Sequence, residues 1–145
     1  MRYFFYFLVA IYSFFLPFHS SAQVSISPQY KSFKIVFQLT SGDTLAHKAL
    51  MKQLNNITAV SPDTRMEVIC HGPGLDMLHR DKSIVDQKVA ELSGKGIAFK
   101  ACEFSLKERQ VSKDQLLSSA GTVPYGIMHI VSRQEEGWQY IKAGF

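Results

Sequence analysis

The sequence predicts one α/β domain in which parallel strands alternate with crossover helices. Three observations carry this expectation. The chain has 145 residues, which places it within the size of a single domain. Its composition, 46% hydrophobic and 19% charged with two cysteines, is that of a globular chain and excludes a disordered tail, a collagen-like repeat and a disulfide-dense mini-protein. From Lys34 onward, short apolar runs alternate with segments of helical period, the pattern that builds βαβ units.

Residues 1–22 stand apart from that pattern. One cation, Arg2, precedes an apolar run from Tyr3 to Phe18 broken only by Ser13 and Pro17, and small residues Ser20, Ser21 and Ala22 follow. This is the form of a secretory signal cleaved after Ala22. The run is short against the roughly 20 residues of a membrane span and contains a proline, so no stable membrane anchor is expected. With no cysteine near the cleavage site to suggest a lipoprotein, the expected location is periplasmic or secreted. Loss of Arg2 takes the net charge from +4 to +3, with no run of five like charges, so nucleic acid is not expected as a partner. Residues 23–33 are polar, lack helical period and read as an N-terminal arm, leaving residues 34–145 as the domain.

Within the domain, Ile35-Val36-Phe37-Gln38-Leu39 forms the first strand, and Thr40 to Asp43 ends it. Leu45, Ala49, Leu50 and Leu54 share a face of a helix expected to end near Asn55-Asn56. Ser61-Pro62-Asp63 is a turn. Met66 to Cys70 is an apolar strand interrupted only by Glu67, stopped by His71-Gly72-Pro73-Gly74. Ser83, with Asp86 as capping-box partner, is expected to open a helix with Val85, Val89 and Leu92 on one face, closed by Gly94-Lys95-Gly96. Ile97 to Cys102 is the third strand and Glu103 to Arg109 a helical turn. Ser112 with Gln115 forms a second capping box for a short helix through Leu116 and Leu117. Thr122-Val123-Pro124 is a short fourth strand, and proline confines it to an edge or a strand end. Gly126 opens a helix with Ile127, Ile130, Val131 and Gln134 on one face. Gly137 breaks it before a last strand, Trp138 to Lys142, with Trp138, Tyr140 and Lys142 on one side.

No Gly-x-Gly-x-x-Gly, Walker lysine, Gly-x-Ser-x-Gly, His-Glu-x-x-His or Cys-x-x-Cys is present, so no cofactor is expected. Cys70, His71, His79 and Cys102 lack the spacing of a metal site, and no metal is expected. Attention therefore falls on strand ends, outside which ligands bind in open parallel sheets. Cys102 closes the third strand and precedes a helical turn. Free backbone N–H groups there favour a nucleophilic thiolate. Lys100, Lys107 and Arg109 could add to that field and Glu103 would oppose it. A small buried hydrophobe is the equally open account. Cys70, inside an apolar strand, is expected to be buried. His71 could orient a thiolate or merely satisfy backbone. Surplus apolar surface around Ile130 and Trp138 beyond the core would serve subunit contacts.

The segments HGPG at His71 to Gly74, ACEFSLKER at Ala101 to Arg109 and VPYGIMHIVSRQEEGWQYI at Val123 to Ile141 together resemble the DsrE/DsrF-like family of sulfur-relay proteins. The resemblance spans Lys34 to about Lys142. It implies a three-layer α/β/α domain with a five-stranded parallel sheet in the order 4-3-2-1-5, assembled as a homo-oligomer, a trimer or hexamer. It also implies that the cysteine at position 102 accepts sulfane sulfur as a persulfide and passes it on, with donor and acceptor unspecified. His71, Gly72, Gly74, Ser105 and Gly126 would then shape its pocket. Two departures bear on this. Phe104 and Ser105 stand where the family often has asparagine and threonine, and export separates this chain from relatives that are mostly cytoplasmic.

The implied strand order makes the second and third strands neighbours, so a Cys70 to Cys102 bridge is open to it if their registers align. The expectation is thus an exported sulfur carrier acting through Cys102. The alternatives are a non-catalytic oligomeric module that binds a small ligand and a thiol redox switch.

Overall fold

The computed structural model describes residues 30–144, so the expected signal segment and most of the expected arm lie outside the described residues. Five strands form one sheet: β1 (Lys34–Leu39), β2 (Arg65–Cys70), β3 (Ala98–Cys102), β4 (Ala120–Val123) and β5 (Gln139–Ala143). All neighbours pair in parallel and the order is β4-β3-β2-β1-β5, the expected one. The central strands β1 and β2 bury both faces, as their near-continuous apolar runs require. Helices α1 (Thr44–Val60), α2 (Asp86–Gly94), α3 (Glu103–Glu108) and α4 (Gly126–Glu135) make the connections.

Element ends differ from expectation where local chemistry intervenes. Asp43 caps α1 by accepting from the Leu45 amide at 2.8 Å. The helix runs past Asn55-Asn56 to Val60, because asparagine costs a helix little and the real stop is Pro62 just beyond the Ser61 cap. On α1 the buried side chains are Ala46, His47, Leu50, Met51 and Leu54, whereas Leu45 and Ala49 are exposed. Ser83 does not cap α2. Its amide is held by the His79 carbonyl and its hydroxyl serves Val85, so the chain is still turning, and the helix begins at Asp86 without a side-chain cap. The Ser112–Gln115 capping box is present but closes only a 3-10 turn, Lys113–Gln115. Beyond it, Leu117 donates to the Leu78 carbonyl and Leu116 bridges His79, which draws the chain away from a helix. Pro124 lies just past β4.

The two sheet faces are covered unequally. Phe37, Leu39, Val68, Cys70 and Phe99 join Leu50 and Leu54 of α1 and Val89 and Leu92 of α2 in the larger core. The opposite face holds a small cluster of Val36, Ile69, Val123, Ile130 and Trp138, covered among the described residues by α4. On α4 only Gly126 and Ile130 are buried. Ile127 and Val131, expected on the packed face, are exposed because the sheet-facing stripe runs through 126, 130 and 133, one residue around the helix from the one expected.

What the small cluster lacks in apolar area is supplied by a buried carboxylate. Glu67 on β2 accepts from Arg133 at 2.9 and 3.1 Å and from His129 Nε2 at 2.7 Å, both on α4, and lies 3.1 Å from Lys100 Nζ on β3. Arg133 also lies over the Trp138 ring at 5.0 Å, and Arg65 at 5.3 Å. Burial alone would raise the Glu67 carboxyl, but the hydrogen bonds of Arg133, His129 and Lys100 outweigh it and hold it at about 2 against an ordinary 4.5. A depressed carboxylate stabilises the fold above its unfolded value and loses that contribution as pH falls through the folded one. Stability should therefore decline between pH 4.5 and about 2. In acid titrations followed by circular dichroism, Glu67→Gln should flatten that part of the curve.

Candidate functional site

The site is built where β2, β3 and the start of α4 meet. In parallel pairing Cys70 lies opposite Ala101, not Cys102. Side chains alternate along a strand, so the one-residue offset sends the two thiols to opposite faces of the sheet. Both cysteines are free. The bridge left open by the strand order is therefore excluded by register, and with it a switch made from this pair. Cys70 belongs to the larger core, and burial pushes its thiol far above the ordinary range. It is inert packing.

Cys102 faces the side covered by α4. It is the N-cap residue of α3, and the backbone N–H of Gly126, first residue of α4, donates to its Sγ at 3.2 Å. Glycine at 126 is what permits that approach. A Cβ there would come within 3.1 Å of the Ile69 side chain, 3.2 Å of the Cys102 Cβ and 3.5 Å of the sulfur. Cys102 is 5% exposed, and beside it Phe104 and Tyr125 stand exposed with ring centroids 6.1 Å apart. The Phe104 amide ties α3 to the Pro124 carbonyl at 3.2 Å, joining the two helix starts that flank the thiol.

Two of the three cations expected around the thiol are engaged elsewhere. Lys100 pairs with Glu67, and Arg109 with Asp76 at 2.9 Å. Glu103 turns to Lys113 and Thr122, which hold its carboxyl below the usual range. The hydrogen bond at the sulfur comes from a neutral backbone N–H, that of Gly126.

His71 follows β2 with extended backbone, one step beyond the Cys70–Ala101 pairing, and so sits beside Cys102 along the strand ends. Its Nε2 lies 2.7 Å from the Gln38 amide nitrogen, and the Gln38 oxygen accepts from Tyr140. Because an amide N–H must donate, this His71 nitrogen is an acceptor and the ring is neutral. Burial lowers the His71 pKa in the same sense. Ser105 does not reach the thiol. Its hydroxyl accepts from the Gly72 amide at 3.1 Å and anchors the HGPG loop to α3. Gly72 takes the left-handed conformation, φ +54°. Gly74 lets the loop cross the end of β1. Among the expected site residues, then, Cys102 and Gly126 are in contact, His71 flanks them, and Ser105, Gly72 and Gly74 shape the loop. Among the described residues, no group of three or more His, Cys, Asp or Glu side chains could hold a metal ion.

Sequence reading missed Gln38 and the Glu67–His129–Arg133 group. The single acid in an otherwise apolar, doubly covered strand was the available signal, because such a carboxylate must find buried partners.

The family model described as the DsrE/DsrF-like family matches residues 33–143. A solved protein of unknown function from Methanobacterium thermoautotrophicum is similar at 34% identity, with a TM-score of 0.73 over 77% of this chain and 99% of that one. A conserved protein of unknown function from Bacteroides thetaiotaomicron, 15% identical with a TM-score of 0.63 over 75% and 93% of the two chains, shares the fold. No curated protein matches.

A Cβ at Gly74 would lie 2.2 Å from the Leu39 carbonyl oxygen and 2.7 Å from its carbon, and backbone cannot yield as a side chain can. Gly74→Ala should destabilise by about 1–3 kcal/mol, the usual cost of overpacking that shifts backbone. Thermal or urea unfolding monitored by circular dichroism reads this directly.

Proposed function

The chain belongs to the DsrE/DsrF-like family, and from that premise we propose that it is an exported sulfur carrier that takes sulfane sulfur as a persulfide on Cys102. The observation that carries this reading is the Gly126 N–H aimed at Sγ. A hydrogen bond to sulfur favours its charged form, and the thiolate is the nucleophile. In the loading step the Cys102 thiolate attacks the outer sulfur of a donor persulfide, R–S–SH. A new S–S bond forms on Cys102, the donor's S–S bond breaks, and its electron pair leaves with R–S⁻. Delivery is the reverse exchange, in which an acceptor thiolate attacks the outer sulfur and Cys102 departs as thiolate. No net oxidation occurs in either step.

His71, neutral and fixed by Gln38, stands at the strand ends beside Cys102 without taking the thiol proton, and Gly72, Gly74 and Ser105 set the loop beside it. Residues 1–22 serve as the export signal, placing the mature chain in the periplasm or outside the cell. No helix among the described residues is long and apolar enough to cross a membrane. Self-assembly as a trimer or hexamer is part of the proposal. It is supported by the thin cover of the α4 face and by exposed Tyr125, Ile127, Met128 and Val131.

A second reading, a non-catalytic module that binds a small ligand, is favoured by the burial of Cys102 and the exposure of the Phe104 and Tyr125 rings. Intact mass spectrometry decides between them. After incubation with a sulfane-sulfur donor, the native protein should gain a reducible mass of one sulfur atom mapped to Cys102, and Cys102→Ser should gain none while keeping its circular dichroism spectrum. An inert thiol, or a variant that loads normally, would overturn the carrier assignment.

A further inference from the structure

The contact between Gly126 N–H and Cys102 Sγ spans two elements, β3 and α4, and its length depends on where the helix rests. Apolar packing holds α4 weakly. Ile130 is its one buried apolar side chain, set in a cluster of five residues. Such a contact limits distance from the sheet better than it limits sliding along it. A bidentate charged pair limits both.

Glu67 makes that pair. Its Oε1 accepts from Arg133 Nη2 and lies against Lys100 Nζ, while its Oε2 accepts from Arg133 Nε and His129 Nε2. Lys100 stands two residues before Cys102 on β3, on the same side of the sheet. His129 and Arg133 stand one and two turns beyond Gly126 on α4, on its sheet-facing side. The carboxylate is therefore held by groups from both elements that meet at the sulfur. Its side chain is only 7% exposed, so water competes little for these bonds.

We infer that Glu67 is a positioning residue for Cys102: by gripping Lys100 on the cysteine's strand and His129 and Arg133 on the helix, it fixes the approach of the Gly126 amide to the sulfur. The consequence for sulfur transfer rests on Cys102 being the carrier thiol. The control of thiol reactivity does not.

The test is the rate of Cys102 alkylation by iodoacetamide in the full chain, measured across neutral to alkaline pH and assigned by peptide mass. Glu67→Gln keeps the shape of the side chain but removes its charge. It should slow alkylation at neutral pH about tenfold, the scale of one hydrogen bond to a charged group, with the difference closing at alkaline pH. Arg133→Gln loosens the grip from the helix side and should slow it in the same direction by several-fold, which covers the case in which Glu67→Gln does not fold. Ile130→Val weakens the same helix without touching the carboxylate and should leave the pH profile unchanged. A folded Glu67→Gln or Arg133→Gln with the native profile would overturn the inference, as would an equal slowing in Ile130→Val. Sulfur loading measured on the native chain fails separately if the carrier reading is wrong, leaving the alkylation comparison intact.

Discussion

Side-chain alternation along β2 and β3, locked in the register that sets Cys70 opposite Ala101, decides what each cysteine can be. Slipping β3 by one residue would turn Cys102 into the larger core and carry Lys100 with it into an apolar environment. The register is well defended against that slip. Phe99 and Ala101 fill the core on one side, while Lys100 finds Glu67 on the other. The Gly126 contact of Cys102 and the core burial of Cys70 are thus two outcomes of a single alignment.

The two layers beside that alignment are unequal. The face under α1 and α2 is closed by apolar packing and has no need of polar fixtures. The other face has one ten-residue helix, a five-residue cluster and a carboxylate shared among three basic side chains. Breaking such a group leaves buried charge uncompensated, and replacing it with hydrocarbon could match its stability. What hydrocarbon would not reproduce is direction. Ion pairs with fixed geometry hold a helix end at a defined distance, which is what a backbone donor aimed at sulfur requires.

Much of this was legible in the sequence because it follows from local rules. The five strands, the stop at HGPG, the proline at the end of β4 and the candidate thiol come from apolar runs and from glycine and proline. The strand order came with the family resemblance rather than from periodicity. The failures lie where a distant partner overrides a local signal. Ser83 has the chemistry of a cap, but its amide was already committed to His79. Ser112 and Gln115 form their box, yet Leu78 and His79 take the chain before a helix can grow. Ile127 and Val131 fit an amphipathic stripe as well as Ile130 does. Only His129 and Arg133, drawn inward by Glu67, decide which stripe faces the sheet. Sequence pattern ranks residues by hydrophobicity and so assigns a buried ionic group to solvent.

The character of the thiol's surroundings bears on which direction of sulfur exchange the site favours. A Cys–His pair would hold a proton ready for a leaving group, but His71 spends the nitrogen described on Gln38 and is neutral. The contact at sulfur is a backbone N–H, which stabilises negative charge on Sγ without exchanging a proton. In the proposed loading step Sγ is the attacking atom, and a hydrogen bond that holds its charge makes the thiolate a weaker nucleophile. In delivery Sγ is the leaving atom, and the same hydrogen bond speeds departure without a compensating loss. The persulfide's charge meanwhile moves one S–S bond away, about 2.05 Å, onto an outer sulfur that the Gly126 amide does not hold. Within the proposed role, then, the fixed amide makes Cys102 a better giver of sulfur than a keeper of it, which is the property of a carrier rather than of a store.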